Sequence, residues 1–175
     1  MANTYKILSS VTVGSGGAAT IDFTSIPQTY TDLVLKLSLR STASGAHGGG
    51  AQMIFNNSSV AEYSFRNLRG AGSGTPSSGT ASATTFIRVT NNHPTAGNTA
   101  STFCNSEIYI PNYRSSNNKS TSEDNVEENN SAESYIQIVA GLWANTSAIN
   151  RITLTSESTL FAEHSTAYLY GISNA

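Results

Sequence analysis

Few residues in this chain have the types and spacing to do chemistry, and they are scattered. His47, His93 and His164 stand in separate contexts, two of them in glycine- or asparagine-rich stretches. A zinc site draws on several His, Cys or carboxylate ligands, some at short spacing on one element, and the sequence holds no such set. Cys104 is the single cysteine, so no intramolecular disulfide can form. It falls inside a strand pattern, where a thiol reads as a small buried hydrophobe rather than a nucleophile. No serine stands in a nucleophile-elbow context. The glycines of 44–50 lack the lysine of a phosphate-binding loop, and no helix pattern follows them.

The run Ser122-Glu123-Asp124-Asn125-Val126-Glu127-Glu128-Asn129-Asn130 is the one concentration of hard oxygen ligands. Calcium takes such groups in flexible loops, but the spacing matches no EF-hand. The expectation is a solvated or partner-facing segment without structural calcium, holding at most a short edge strand over 121–126. Two glutamates without a fixed separation do not define a glycosidase pair. The reading is of no catalytic residue, no cofactor and no metal, hence not an enzyme. Tyrosines are the remaining candidates. Tyr168 and Tyr170 share one face of the last strand pattern, and Tyr109 and Tyr113 flank Pro111. Tyrosine offers large contact area at small entropic cost, which suits a subunit contact, a sugar ring or the core itself.

These residues need a scaffold, and the pattern of the chain supplies one. Leu33, Leu35, Leu37 and Leu39 alternate with Val34, Lys36, Ser38 and Arg40. A period of two puts the leucines on one face of a half-buried strand, whereas a helix would scatter them. Similar alternation marks 5–13, 19–23, 53–55, 63–65, 83–89, 103–110, 135–143, 152–154 and 165–172. Along 135–143, Ile136, Ile138, Ala140 and Leu142 fall on one side, and Gly141 signals a bulge or a close backbone approach. Residues 44–50, 70–81, 91–99 and 112–120 read as loops. The result is an all-β chain, an antiparallel two-sheet β-sandwich of jelly-roll type with nine to ten strands and no substantial helix. It is expected to form a single domain over 1–175, with 1–23 as an N-terminal hairpin serving as an edge or assembly arm.

Only 11% of the residues are charged, against about 25% in average soluble domains. The net charge of −2 gives no electrostatic case for nucleic acid. There is neither a signal-peptide pattern nor a run approaching the ~20 apolar residues that span a bilayer, so no membrane is expected as a partner.

Several stretches carry a resemblance, in order along nearly the whole chain. They are Ile7-Leu8-Ser9-Ser10-Val11-Thr12-Val13, Ile21-Asp22-Phe23-Thr24-Ser25-Ile26-Pro27, Glu107-Ile108-Tyr109-Ile110-Pro111-Asn112-Tyr113, Ala140-Gly141-Leu142-Trp143 and Tyr168-Leu169-Tyr170-Gly171-Ile172. The sequence resembles a family of small virion structural proteins of tailed bacteriophages, notably of cyanophages and other aquatic phages. The resemblance implies a particle component made in the host bacterial cytoplasm. It fits a capsid-decorating or cement protein whose partners are the major capsid protein or other virion proteins, or alternatively a tail-fibre module that recognises host surface glycan. It brings no catalytic residues. Apolar groups on both faces of 103–110 and 165–172 lead to the further expectation of a homotrimer with Tyr109, Tyr113, Tyr168 and Tyr170 in its contacts.

Overall fold

The fold is that of a computed structural model, which describes residues 4–45, 50–72, 74–90, 92–130, 134–157 and 159–173. These residues form strands β1 (Tyr5–Thr12), β2 (Thr20–Phe23), β3 (Asp32–Leu39), β4 (Ala51–Phe55), β5 (Tyr63–Ala71), β6 (Ser77–Thr84), β7 (Ile87–Thr90), β8 (Cys104–Ile110), β9 (Lys119–Val126), β10 (Tyr135–Trp143), β11 (Ile152–Ser156) and β12 (Thr166–Ile172). The described residues contain no helix. The strands make an eight-stranded sheet, β1-β12-β3-β8-β9-β10-β5-β6, and a four-stranded sheet, β2-β11-β4-β7, with every pairing antiparallel.

The described residues make a β-sandwich of twelve strands rather than nine or ten. Setting aside β1, β12 and the β8–β9 pair leaves the orders β3-β10-β5-β6 and β2-β11-β4-β7. That is jelly-roll order, with the chain repeatedly crossing between sheets. The β8–β9 hairpin is wedged between β3 and β10, and β1 and β12 extend the larger sheet beyond β3.

Leu33, Leu35, Leu37 and Leu39 are all buried, as their alternation requires, and pack with Ile108, Ile110 and Leu169 of the flanking strands. Phe23, Met53, Phe55, Ile152 and Leu154 form the opposing wall. Each such side chain stabilises the fold by about 1.5–3 kcal/mol on burial. An aromatic group of Phe55, Tyr63 and Trp143 continues the core under β5 and β10, with ring centroids 5.4–6.4 Å apart. Gly141 makes the expected close approach: a Cβ there would lie 2.8 Å from Ile87 Cγ2, and the ladder through it is unbroken.

Three expectations are corrected. Residues 1–23 do not form a hairpin, because β1 pairs with β12 and β2 with β11. The turn at Gly16 and Gly17 (φ 90° and 78°) carries the chain from one sheet to the other, and each strand is an edge of its sheet. Much of the 70–81 stretch is not loop but β6. Its Ser, Gly, Thr and Ala side chains show no alternation, and the ladder with β5 holds it. The acidic run is not a loop or an edge: β9 is an inner strand between β8 and β10.

Candidate functional site

The larger sheet turns an unusual outer face to solvent. Cross-strand register sets it out in rows. One row runs Ile7, Tyr170, Val34, Tyr109, Ser122, Ala140 and Arg66. The next runs Ser10, Tyr168, Lys36, Glu107, Asp124, Ile138 and Leu68. A third places Val126 beside Ile136. Ile136, Ile138 and Leu68 are 63%, 60% and 56% exposed, and Val126 and Leu142 are also exposed. The side of β10 that carries Ile136, Ile138, Ala140 and Leu142 therefore faces out, while Gln137, Val139, Gly141 and Trp143 face in.

This apolar patch continues into a hollow of about 460 Å³ at the ends of β5, β9 and β10, lined by Ala71, Phe103, Val126, Glu127, Tyr135 and Ile136. Glu127 stands in its wall together with the polar residues Asn105, Glu128 and Ser134. Glu127 Oε1 accepts from Asn129 Nδ2 at 2.6 Å, and its Oε2 is buried without a hydrogen bond. Burial pushes this carboxyl up to about 7, against smaller lowering effects of Asn129 and Arg40.

Three of the four tyrosines singled out from sequence lie on this outer face. The Tyr109 hydroxyl donates to Asp32 Oδ2 at 2.9 Å, and Asp32 Oδ1 also accepts from the Asn112 backbone N–H at 2.8 Å. Burial, and then the neighbouring Asp32, raise the Tyr109 pKa. Tyr170 stacks against Tyr5 with ring centroids 4.9 Å apart, and Tyr168 stands beside Lys36 in the ladder. Tyr109 and Tyr170 flank Val34 in register, which leaves that outward-pointing residue buried. Tyr113 lies elsewhere: it is buried in the core, its hydroxyl donating to the Pro27 carbonyl, so it is not part of any surface. Tyr113 follows the end of β8 instead of continuing its alternation, and so parts from Tyr109.

The acidic run is divided between two faces. Lys119, Thr121, Glu123 and Asn125 point inward and are buried, while Ser120, Ser122, Asp124 and Val126 point outward. Lys119 and Glu123 do not pair, since the Lys119 ammonium donates to the Ser115 carbonyl at 2.8 Å and to the Asn117 carbonyl. Thr121 Oγ1 lies 3.4 Å from Glu123 Oε1, and Oε2 is buried without a partner. Burial drives the Glu123 pKa well above the ordinary carboxylate value. Asn125 Oδ1 accepts from Ser106 Oγ at 2.6 Å. Among the described residues, no three His, Cys, Asp or Glu side chains gather as a metal site would require.

The histidines and the cysteine do not come together with these groups as a reaction centre. His93 is buried against Phe161, with Nδ1 3.3 Å from Thr90 Oγ1, and burial lowers its pKa to about 3. His164 is exposed, and His47 lies outside the described residues. Cys104 is fully buried, and burial pushes its thiol up to about 12, which leaves it without thiolate character at neutral pH.

No family model, no curated protein and no solved structure matches the chain.

Proposed function

We propose that the chain is a structural protein of a phage particle that acts through protein–protein contacts, as a capsid-decorating or cement protein. The resemblance of the sequence supplies the setting. The observation that carries the mode of action is the outer face of the larger sheet, where Leu68, Val126, Ile136 and Ile138 stand exposed on three adjacent strands. Contiguous apolar surface of this kind is uncommon on a soluble monomer and marks contact surfaces. Low charge favours the same use, because little ionic hydration is lost when such a face is covered. In this reading the protein assembles as a homotrimer, suited to three-fold positions on an icosahedral shell, with Tyr109, Tyr168 and Tyr170 bordering the contacts. The second reading is a tail-fibre receptor-binding module that recognises host surface glycan.

The test is co-sedimentation of the purified protein with capsids stripped of it. The wild-type chain is expected to bind in hundreds of copies, and Ile136→Asp/Ile138→Asp to remain folded but stay in the supernatant. Binding of that variant at wild-type level would overturn the proposal. A copy number of tens, on tails alone, would transfer it to the fibre reading.

A further inference from the structure

The inward face of β5 changes character along its length. Tyr63 and Phe65 are buried, but the next inward pair, Asn67 and Arg69, is polar and only half-buried. The change falls where the smaller sheet ends. β7 is its last strand, whereas β6 is exposed along most of its length. Phe65 stacks on Phe86 with centroids 6.3 Å apart and closes the apolar core along this line. Beyond lies an open hollow of about 350 Å³, walled by Asn67, Arg69, Ser77, Gly79 and Arg88.

The walls are arranged for a polar occupant. Arg69 Nε donates to Ser77 Oγ at 3.0 Å, and the guanidinium carbon sits 5.6 Å from the centre of the Tyr135 ring. Those two contacts orient the fork while using one of its five N–H groups. No acidic side chain among the described residues pairs with Arg69. Arg88 differs, because its Nη2 lies 2.5 Å from Glu157 Oε1, an oxygen that Gln52 Nε2 also reaches at 3.0 Å. Among the described residues, Arg69 thus brings to the hollow a guanidinium with no acidic partner. Asn67 stands opposite Gly79 in the ladder, and a Cβ at Gly79 would lie 2.5 Å from Asn67 Oδ1. Glycine keeps that amide uncovered.

We propose that this hollow binds an anionic saccharide, a pyranose bearing a carboxylate, with the carboxylate on the Arg69 fork and ring hydroxyls on Asn67 and Ser77. A guanidinium matches a carboxylate through two parallel N–H···O bonds. Hydroxyls need partners that both donate and accept, which an amide and a serine provide. The volume stands at the lower end of the ~300–1,000 Å³ range of ligand sites, room for one or two rings. A small inorganic anion would accept from the arginine, amide and serine but leave the Asn67 Oδ1 acceptor unused, whereas a ring hydroxyl can donate to it. The proposal does not depend on the outer-face reading, since it concerns the opposite side of the sheet.

Isothermal titration calorimetry of the full chain with trigalacturonate, neutral galactotriose and sodium sulfate tests it. Trigalacturonate is expected to bind, with galactotriose and sulfate weaker by at least about tenfold, as loss of a bidentate charged contact implies. Arg69→Ala, with its melting midpoint checked, should weaken binding by a similar factor. Arg69→Lys should not restore it fully, because the charge returns without the fork. Amide shifts on titration of the wild-type protein should centre on 77–80, a readout that needs no variant. Absence of heat and shifts at millimolar trigalacturonate, unchanged affinity in Arg69→Ala, or equal binding of sulfate or galactotriose would each overturn the proposal.

Discussion

The two halves of the larger sheet are patterned differently. Around β3, β8 and β12 the inner face is apolar, and the outer face mixes tyrosines with the Lys36–Glu107 ion pair. On β9 the inner face carries Lys119, Thr121, Glu123 and Asn125, and on β10 it sets Gln137 beside the core residues Val139 and Trp143, while isoleucines stand outside. Neighbouring strands in one sheet share their faces, so the difference is fixed by the hydrogen-bond ladder, not by each strand's own amphipathicity. An inner strand with a polar inward face is a poor choice for stability alone. An apolar outward face is a poor choice for a free surface. Together they separate a half of the sheet whose inner face builds the core from a half that, in the function proposed above, meets a partner on its outside.

The largest expected effect breaks the folding half. Leu35→Asp places an uncompensated carboxylate in the leucine wall, at a cost of several kcal/mol against a total stability of ~5–15 kcal/mol, and should abolish soluble folded protein. Ile138→Asp, the same chemistry on the exposed face, should cost only about 1 kcal/mol, from the lost β-propensity and from the like charge of Asp124 opposite it in the ladder. Urea unfolding of both variants checks the contrast. Comparable destabilisation would remove the distinction between the halves.

Buried titratable groups sharpen the comparison through pH. Glu127 has a folded pKa of about 7 against an ordinary value of 4.5. Its contribution to stability is full below 4.5 and is lost as pH rises through 7. Glu123, also raised, acts in the same direction. His93 does the reverse: with a folded pKa near 3 against 6.5, its contribution is full above 6.5 and is lost as pH falls toward 3. Glu123→Gln should therefore gain stability relative to wild type at pH 8, on the order of 1–3 kcal/mol, and gain less at pH 5. His93→Leu should flatten the acid limb and leave the alkaline limb alone. Melting midpoints across pH 4–8 would show either slope. An alkaline limb unchanged in Glu123→Gln would mean that its carboxyl is not the strained group.

The folding half was legible in the sequence and the other half only in part: 135–143 read as a strand with the bounds of β10, but the extent and place of β9 and β6 did not, for one physical reason. Leucines at 33, 35, 37 and 39 announce a strand and its buried face together. The residues 119–126 carry polar side chains at both parities, so alternation of hydrophobicity is silent, although β9 is held by ladders on both sides. β6 was hidden likewise by its Ser, Gly, Thr and Ala residues. At 136–142 the periodicity gave the correct grouping of Ile136, Ile138 and Leu142, but the facing depends on the register with β5 and β9, which no local pattern contains. Asn67 and Arg69 continue the inward parity of Tyr63 and Phe65, yet polar residues at the end of a strand look the same as a solvated face. Only the early end of the smaller sheet makes them a wall.

Two milder substitutions on the tyrosine side complete the series. Tyr109→Phe removes the hydroxyl that Asp32 accepts, leaving Asp32 with the Asn112 backbone N–H. The expected loss is about 1 kcal/mol, as for a single partly buried hydrogen bond. Lys36→Ala removes a pair whose members are both well exposed, and exposed pairs contribute little once screening and side-chain entropy are counted. Its melting midpoint should coincide with that of wild type. The two should part company on the particle. If the outer face meets a neighbour, the Lys36–Glu107 pair becomes desolvated there, and Lys36→Ala would leave Glu107 buried without a cation. Capsid binding of Lys36→Ala is then expected to fall while its stability in solution does not change. Loss of stability in the isolated chain, with binding intact, would place Lys36 among the folding residues and shift the contact surface toward β10.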